Sequence, residues 1–242
     1  MNLARRQLEG ELMDDPSLAA HAHDAALHGL RRINLISRTV ASLWPTLAGI
    51  LAAQRGARAS LLDVACGGGD VAIAIAQHAQ KHGFELAVHG CDLSDTALHH
   101  ASALAAHARV PVTLFRANIL SDPLPQRYTI IISTLFLHHL SDAQIVLVLR
   151  RLAAHTDHLV ISDLIRGRFG YLLAWFGTRL LSRSPIVHED GLRSVRAALT
   201  LSEARALAGE AGLRNARFER RWPRRFLMTW SRASNGNPDA AG

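Results

Sequence analysis

Short apolar segments alternate with segments of helical spacing through the middle of this 242-residue chain, and this alternation limits the folds that it can adopt. The apolar segments are rich in valine, isoleucine and leucine, as expected of strands that are buried on both faces. Helices of about a dozen residues are predicted between them. The pattern therefore predicts an α/β fold with a doubly wound parallel sheet built from βαβ units. The predicted strands are "SLLDVAC", "ELAVHGCD", "PVTLFRAN", "YTIIISTLF" and "HLVISDL", and the predicted helices are Val71–His82, Thr96–His107 and Asp142–His155.

The segments on either side of this region extend the same domain. Apolar residues between His21 and Gln54 recur at helical spacing and predict two N-terminal helices, with Pro45 either separating them or lying in the first turn of the second. A helix over Ser202–Ala211 and two closing strands, "ARFERRW" and "RFLMTWS", complete the domain. The expected organisation is a flexible N-terminus (1–20), a helical cap (21–56), the main domain (57–232) and a disordered tail (233–242).

Net charge and cysteine content narrow the function classes. The formal charge of +7 is compatible with nucleic-acid binding, but only Lys81 among the 27 basic residues is a lysine. Such a bias toward arginine and alanine can arise from the base composition of the genome and not from binding to a polyanion, so no nucleic-acid partner is expected. The N-terminal sequence lacks the apolar core of a secretory signal, and no stretch reaches the ~20 apolar residues of a membrane span. Two cysteines form no disulfide framework, and a cytoplasmic location is expected.

A glycine cluster follows the first predicted strand, in "LLDVACGGGD" at residues 61–70. Ligands of open α/β sheets bind at such carboxyl ends of strands. A phosphate-binding P-loop requires Lys-Ser/Thr after the glycines, whereas Asp70 and Val71 follow them here. The spacing does not fit the dinucleotide pattern G-x-G-x-x-G either. The cluster therefore predicts a nucleoside-like ligand without a pyrophosphate.

Asp92 ends the second predicted strand, beside the glycine cluster. A carboxylate at this position can accept hydrogen bonds from both hydroxyls of a ribose. The alternative is that Asp92 only caps the helix that begins near Ser94, although Ser94 can fill that position itself. We expect Asp92 to bind ribose.

Four segments in order, "LLDVACGGGD", "VHGCDLS", "FRANILSDPLP" and "YTIIISTLFLHHL", resemble the class I S-adenosylmethionine-dependent methyltransferases, in particular their small-molecule branch. The resemblance covers about residues 58–232. It implies S-adenosylmethionine as the methyl donor and a seven-stranded, mostly parallel Rossmann-like sheet whose C-terminal hairpin includes one antiparallel strand. The family pattern acidic-x-Gly-x-Gly-x-Gly falls on Asp63, Ala65, Gly67 and Gly69, with alanine in place of the first glycine.

The resemblance also implies which residues bind the cofactor. The glycine loop would let the backbone approach it, and Asp63 would orient this loop or reach the methionine ammonium through water. Asp92 would hold the ribose, with Leu93 and Ile119 against the adenine. Asn118, where the family often has aspartate, would bind the exocyclic amine of adenine. The implied set is Asp63, Ala65, Cys66, Gly67, Gly69, Asp92, Leu93, Asn118, Ile119 and Thr134.

Histidines indicate the acceptor side. The motif Asn/Asp-Pro-Pro-Tyr/Phe, which in this family marks amino-methylation of DNA or glutamine, is replaced by "STLFLHHL". His138 and His139 fall where the acceptor is expected, and imidazole is the usual general base near neutral pH; the alternative is that they only pack or cap the next helix. His188, in "VHEDGLRSVRAALT", is a further candidate base, the alternative being a solvated loop before a helix. Neither Glu189 nor Asp190 is at the end of a strand, so no metal is expected.

Residues 166–183, "RGRFGYLLAWFGTRLLSR", combine aromatic and aliphatic bulk with arginines at both ends. In this family, insertions between the fifth strand and the final hairpin often form the acceptor lid, which we expect at about residues 166–200. A core helix of the outer layer is one alternative, and a helix in peripheral contact with an anionic membrane is another.

These features together predict O-methylation of a small aromatic or lipophilic hydroxyl acceptor in secondary or quinone metabolism. The enzyme is expected to be a monomer or a homodimer. Carbon or nitrogen methylation of a small molecule is left open by the sequence. Two further hypotheses are RNA methylation, with "RFERRWPRR" contacting phosphates, and a catalytically silent cofactor-binding partner protein.

Overall fold

One seven-stranded sheet forms the centre of the residues that the computed structural model describes, which are 3–14, 18–54 and 57–232. Its strands are β1 (Ala59–Val64), β2 (Leu86–Asp92), β3 (Val112–Arg116), β4 (Tyr128–Thr134), β5 (Thr156–Leu164), β6 (Arg217–Arg221) and β7 (Arg225–Ser231). They lie in the order β3-β2-β1-β4-β5-β7-β6. Strand β7 pairs antiparallel with both β5 and β6, and the other neighbouring strands are parallel. The predicted sheet, including the single antiparallel strand of the C-terminal hairpin, is confirmed.

Helices cover both faces of this sheet. They are α1 (Ala20–Ile36), α2 (Thr39–Ala53), α3 (Asp70–Lys81), α4 (Asp95–Ala108), α5 (Asp142–Ala154), α6 (Arg168–Leu181), α7 (Pro185–Ala197) and α8 (Leu201–Glu210). Successive residues of β1 belong to two separate cores, because Leu61 packs in a cluster with α2 and α3 whereas Leu62 packs in a cluster with α5 and α8. The helices predicted from spacing agree with α3, α4, α5 and α8 to within one residue at each end.

The prediction for Pro45 is wrong. Helices α1 and α2 are separated at Arg38, whose φ of 55° is left-handed, and Pro45 lies inside α2. Proline removes one backbone hydrogen bond from a helix. Leu43, Leu47 and Leu51, spaced one turn apart, are buried in the core along this helix, and their burial outweighs that loss.

No single helix of the described residues is long and apolar enough to cross a membrane. Ala25–Ile36 and Thr39–Ala53 satisfy the length and composition of a span only as a pair, and this pair is bent by 61°. In the second of them, one row of leucines is already buried in the core.

The predicted lid region at 166–200 is mostly helical. Helix α6 lies within the segment of aromatic, aliphatic and arginine residues at 166–183. Helix α7 covers the polar stretch for which the sequence predicts either part of a lid or a solvated loop. Helix α7 starts with Pro185, which suits the first turn because its missing N–H has no partner there. Its apolar residues Val187, Leu192 and Val195 are buried, and both helices pack against α1.

Residues 3–14, called the N-terminal segment below, lie along α7 and the turn after β4. The backbone N–H of Gln7 donates to the carbonyl oxygen of Arg196 at 3.1 Å. The Arg6 guanidinium donates to two carbonyl oxygens of the turn after β4, at 3.0 and 3.2 Å. The sequence predicts a flexible N-terminus, whereas these bonds tie its described part to partners far along the chain, which a local pattern does not reveal. The predicted tail, 233–242, lies outside the described residues.

Candidate active site

A cavity of about 1080 Å³ opens at the carboxyl ends of the parallel strands. The loops after β1, β2, β3 and β4, helices α1, α6 and α7, and the N-terminal segment form its walls. Three predicted site residues, Asp63, Gly69 and His188, do not line it. The predicted site residues that do line it are Ala65, Cys66, Gly67, Asp92, Leu93, Asn118, Ile119, Thr134, His138 and His139.

The loop after β1 requires small residues at several positions. Gly67 and Gly69 have positive φ angles of 51° and 75°, which residues with side chains rarely adopt. A Cβ on Gly69 would lie 2.7 Å from the Cβ of Ala101, so glycine is also required for α3 to pack against α4. Ala65 has a φ of 55° at the place of the family's first glycine, where a side chain costs about 1–2 kcal/mol. The loop therefore brings backbone atoms close to a ligand in the cavity.

Asp63 lies beneath this loop. Its side chain is buried, and its carboxylate oxygens have no hydrogen-bond partner among the described residues. Burial, followed by the charges of Asp70 and Asp92, raises the pKa of Asp63 well above its usual value. Because Asp63 lies behind the loop and does not line the cavity, it could act on a ligand only through the loop or through water.

Asp92 is placed to accept hydrogen bonds from a ligand. Its Oδ2 accepts from the backbone N–H of Gly67 at 2.8 Å, and its Oδ1 accepts from that of Ser94 at 2.9 Å. The N-cap of α4 is Ser94, whose hydroxyl accepts from the N–H of Ala97 at 3.2 Å. Each carboxylate oxygen has a second lone pair, so both oxygens of Asp92 can still accept from hydroxyl groups.

Asn118 and two apolar side chains follow in the cavity wall. The side-chain oxygen of Asn118 accepts from the N–H of Leu120 at 3.0 Å, which fixes its orientation and leaves one lone pair and the amide N–H groups for a ligand. Leu93 and Ile119 contribute apolar surface to the wall. This combination of an amide and apolar surface fits the predicted place of adenine.

Two histidines and a glutamate meet in the wall of the same cavity. His138 and His139 lie in a short 3-10 turn directly after β4. Oε1 of Glu11, in the N-terminal segment, lies 3.6 Å from Nε2 of His138 and 3.7 Å from Nε2 of His139. The other ring nitrogen of His138, Nδ1, lies 2.6 Å from Oδ1 of Asp163 in β5. We call Glu11, His138 and His139 the Glu-His-His cluster.

The charges of this cluster shift one another's pKa values. Burial alone would lower the pKa of His138, but the carboxylates of Asp163 and Glu11 outweigh it and raise this pKa to about 10. Burial would raise the pKa of Glu11, but the hydrogen bond from His138 and the charge of His139 lower it to about 2. His138 is therefore protonated near neutral pH and is not suited to act as a base. The side chain of His139 is 25% exposed and faces the cavity.

The sequence analysis does not identify Glu11 or Asp163. Asp163 lies near the end of an apolar strand, as Asp92 does, and this position is a signal that could have identified it. Glu11 lies in a polar segment without a motif, and only the fold brings it to the histidines.

The structure places His188 outside the cavity wall. Its Nε2 lies 2.8 Å from the carbonyl oxygen of Ser182, between α6 and α7, and its side chain does not line the cavity. The reason is that residues 185–197 are helical, so Val187, Asp190, Gly191 and Ser194 present their side of α7 to the cavity and His188 does not. The contact of His188 joins two helices of the lid.

Asp190 of α7 holds the N-terminal segment and makes the stability of the folded protein depend on pH. Its carboxylate accepts from the backbone N–H groups of Leu12 and Met13 at 2.7 and 3.0 Å. Burial, opposed by the hydrogen bond from Leu12 and reinforced by the charge of Glu11, raises the pKa of Asp190 from 3.8 to about 6. Because the folded pKa exceeds the unfolded one, the folded protein holds a proton that the unfolded chain releases, and stability falls as the pH rises from about 4 to about 6.

We expect the substitution Asp190→Asn to remove this decline. Thermal unfolding followed by calorimetry at several pH values should show the Tm of the wild-type protein falling relative to that of the variant between about pH 4 and 6. Parallel pH profiles for the two proteins would contradict the raised pKa.

Comparison with known proteins agrees with this geometry. Residues 61–158 match a family model described as a methyltransferase domain. The magnesium protoporphyrin IX methyltransferase of Synechocystis, solved with S-adenosylhomocysteine, is 17% identical, with a TM-score of 0.57 over 91% of each chain. The S-adenosylmethionine-dependent methyltransferase SibL, solved in its apo form, is 17% identical, with a TM-score of 0.63 over 95% of this chain and 64% of that one. The O-methyltransferase NcsB1 from neocarzinostatin biosynthesis, solved with S-adenosylhomocysteine and 1,4-dihydroxy-2-naphthoic acid, is 17% identical, with a TM-score of 0.53 over 72% of this chain and 49% of that one. No curated protein matches the sequence.

The domain match and the strand order define the part of the chain that carries the methyltransferase signature. Residues 61–158 match a methyltransferase domain, and the described residues have the seven-stranded fold of the S-adenosylmethionine-dependent methyltransferases. Two of these three solved structures contain S-adenosylhomocysteine. The solved structures share the fold of this chain at low identity, and the acceptors bound to them are properties of those proteins.

Proposed function

We propose that the protein is a methyltransferase that transfers the methyl group of S-adenosylmethionine to a hydroxyl group of a small aromatic or lipophilic acceptor. The observation that carries this proposal is a single cavity whose wall combines Asp92 and Asn118, apolar residues of α6, and the Glu-His-His cluster. A volume of about 1080 Å³ has room for the donor and a small acceptor together. The dihydroxynaphthoic acid bound to NcsB1 supports an acceptor of this aromatic kind.

On the donor side, the chain supplies hydrogen-bond acceptors and an exposed backbone. We assign the ribose hydroxyls to the carboxylate of Asp92, the adenine to Asn118 with Leu93 and Ile119, and the methionine part to the loop above Asp63. Ala65, Cys66, Gly67, Gly69 and Thr134 complete the proposed donor site, Gly69 through its packing under the loop. When bound, S-adenosylmethionine supplies an electrophilic methyl group.

On the acceptor side, the chain positions the hydroxyl group and removes its proton. Apolar side chains of α6 in the cavity wall, including Leu173 and Leu181, keep water away from an acceptor. Nε2 of His139 lies 3.7 Å from Oε1 of Glu11 and the side chain lines the cavity, so His139 is the proposed general base that takes the proton of the hydroxyl group. His138, protonated and fixed by Asp163, holds Glu11 in place and is a positioning residue in this scheme.

RNA methylation has less support. Arg225, in the basic stretch "RFERRWPRR", is buried and donates to the hydroxyl of Thr39 at 2.5 Å. Arg221 of the same stretch pairs with Glu219 at 2.7 Å. These two arginines are engaged within the chain and contribute little to a phosphate-binding surface.

An acceptor screen tests the proposed function. Purified protein is incubated with methyl-labelled S-adenosylmethionine and a panel of phenols, hydroquinones and hydroxylated polyketides. We expect the label in a methoxy group, identified by mass spectrometry and NMR. Label on a carbon or nitrogen atom would contradict the choice of a hydroxyl, and label in added RNA would support RNA methylation.

We further propose that α6 contacts an anionic membrane surface, so that a lipophilic acceptor reaches the cavity from the lipid. Four apolar side chains recur along one face of α6 and are 52–85% exposed. They are Phe169, Leu172, Phe176 and Leu180. Arg168 and Arg179 lie in the same helix and Arg183 follows it. The side chains of Ile36 and Trp222 are also exposed, and these two line the cavity. Cytoplasmic location and oligomeric state stay predictions.

The double variant Phe176→Ser, Leu180→Ser is expected to bind anionic vesicles at least about tenfold more weakly, because two large apolar side chains no longer leave water. Sedimentation with vesicles of phosphatidylglycerol and phosphatidylcholine measures this binding. Leu147→Ser on α5, another exposed leucine, is the matched control. A wild-type protein that does not sediment with these vesicles would contradict the contact.

A further inference from the structure

We propose that the Glu-His-His cluster is a binding site for a divalent transition-metal ion, with Glu11, His138 and His139 as the protein ligands. The role of such an ion, to bind the acceptor hydroxyl, rests on the proposed function. The binding of the ion does not rest on the proposed function, because all three ligands are residues of this chain and neither the methyl donor nor the acceptor takes part.

The ligand atoms already lie close to the spacing that an ion requires. The three donor atoms are all within 4.8 Å of one another, and Oε1 of Glu11 is 3.6 and 3.7 Å from the two histidine Nε2 atoms. Tetrahedral ligands at about 2.0–2.1 Å from zinc lie roughly 3.3 Å apart. The two distances from Glu11 exceed this value by a few tenths of an ångström, and the two histidine atoms lie within 4.8 Å of each other, so side-chain adjustment would complete the site.

His138 has the hydrogen bond that orients a metal-binding histidine. Its Nδ1 faces the buried carboxylate of Asp163 at 2.6 Å, which leaves Nε2 directed toward Glu11. Asp163 is fixed in turn by the backbone N–H groups of Leu164 and His138, at 2.6 and 3.3 Å. Ligand histidines commonly donate their second ring nitrogen to a carboxylate, and this contact sets the tautomer and the ring orientation.

Glu11 is held at the site by contacts on both sides of it in the sequence. Arg6 donates to the carbonyl oxygens of the histidine turn, and Asp190 accepts from the backbone after Glu11. The hydroxyl of Ser194 donates to Oε1 of Glu11 itself. The carboxylate is therefore part of a built site and not a mobile surface group.

The number and type of ligands indicate which ion would bind and how it would act. Two imidazoles and one carboxylate suit zinc, iron, cobalt or nickel, and do not suit magnesium or calcium. Three protein ligands leave a further position open, as in catalytic zinc sites, and all three residues line the cavity. An acceptor hydroxyl bound at that position would lose its proton to solvent more easily, and its oxygen would then form the bond to the transferred methyl group. His139 is in that case a ligand and the ion replaces it as the group that activates the hydroxyl.

The charge of the cluster is compatible with a cation. Asp163 and Glu11 flank His138, so two carboxylates face one imidazole in the buried part of the site. A divalent cation bound by Glu11 and His138 would therefore have a second buried carboxylate, that of Asp163, on the far side of the imidazole.

Metal titration of the full-length protein tests the site. Protein prepared without a histidine tag and stripped with a chelator is titrated with Zn²⁺ by calorimetry, and with Co²⁺ by absorption spectroscopy, in the absence of donor and acceptor. We expect one ion per chain and a Co²⁺ spectrum typical of four ligands. Glu11→Gln and His139→Ala should each weaken binding at least about tenfold.

Glu9→Gln is the matched control, because Glu9 is exposed and pairs with Arg196 in the same segment. Unfolding of each variant without metal shows whether its fold is intact. Absence of stoichiometric binding by the wild-type protein, or equal binding by folded Glu11→Gln and His139→Ala variants, would overturn the proposed site. The proposed function would then still stand, with His139 as the base. Metal binding without any hydroxyl methylation in the acceptor screen would instead overturn the proposed function alone.

Discussion

The substitution Asp92→Ala is expected to weaken the binding of S-adenosylhomocysteine by about 100-fold or more. Hydrogen bonds to a charged group are worth about 1.5–3 kcal/mol each, and the variant would lose the two that we propose between the ribose hydroxyls and the carboxylate of Asp92. The variant also removes the acceptor for the N–H groups of Gly67 and Ser94, which loosens the glycine loop. Isothermal titration calorimetry measures the change in Kd directly.

A control for this experiment is Asp157→Ala. Asp157 is an exposed carboxylate that pairs with Arg127 at 3.0 Å and lies at the opposite, amino-terminal end of β5. Its removal should leave Kd unchanged. If Asp92→Ala binds S-adenosylhomocysteine as tightly as the wild-type protein, the ribose is held elsewhere.

The substitution His139→Ala is expected to lower kcat by about 10²–10⁴, with little change in the affinity for S-adenosylhomocysteine. The reason is the same whether His139 takes the proton itself or holds an ion that acidifies the hydroxyl, because the acceptor oxygen stays protonated in the variant. Single-turnover measurement of methyl transfer, with an acceptor found in the screen, separates this loss from a loss of binding.

His188→Gln is the matched control for the loss in turnover. The glutamine amide can still donate to the carbonyl oxygen of Ser182, so the contact between α6 and α7 is kept, and the side chain is outside the cavity wall. We expect full activity. A full rate in His139→Ala would show that positioning alone drives the reaction, whereas a large loss in His188→Gln would return His188 to the catalytic site.

Much of the central fold is predictable from the sequence because its signals are local. Each buried strand is a short apolar run, and each of α3, α4, α5 and α8 has its own spacing and end signals, such as the hydroxyl caps Ser141 and Thr200. Pro45 shows the limit of this approach. Its local effect on the helix is overruled by leucines whose burial depends on the whole core.

The arrangement of the residues proposed for the donor is predictable for a similar reason, and that of the residues proposed for the acceptor is not. Asp92 and the glycine loop belong to neighbouring strand ends, so their closeness follows from the sheet. The Glu-His-His cluster joins the turn after β4 to the N-terminal segment, and no pattern in a single sequence indicates which distant glutamate will meet a histidine. The position of His188 outside the cavity wall could not be predicted either, because its direction depends on the rotation of α7.

The parts of the cavity proposed for the donor and for the acceptor come largely from different segments of the chain. Most residues proposed for the donor lie at or after the ends of β1, β2 and β3, whereas the walls proposed for the acceptor come from the N-terminal segment, α1, α6, α7 and the histidine turn after β4. Exchange of the first 54 residues and of 166–200 between relatives would therefore alter acceptor choice while the donor loops are kept. Such an exchange would also replace Glu11, the carboxylate beside His138 and His139, and would therefore change the chemistry of the proposed acceptor site as well as its shape.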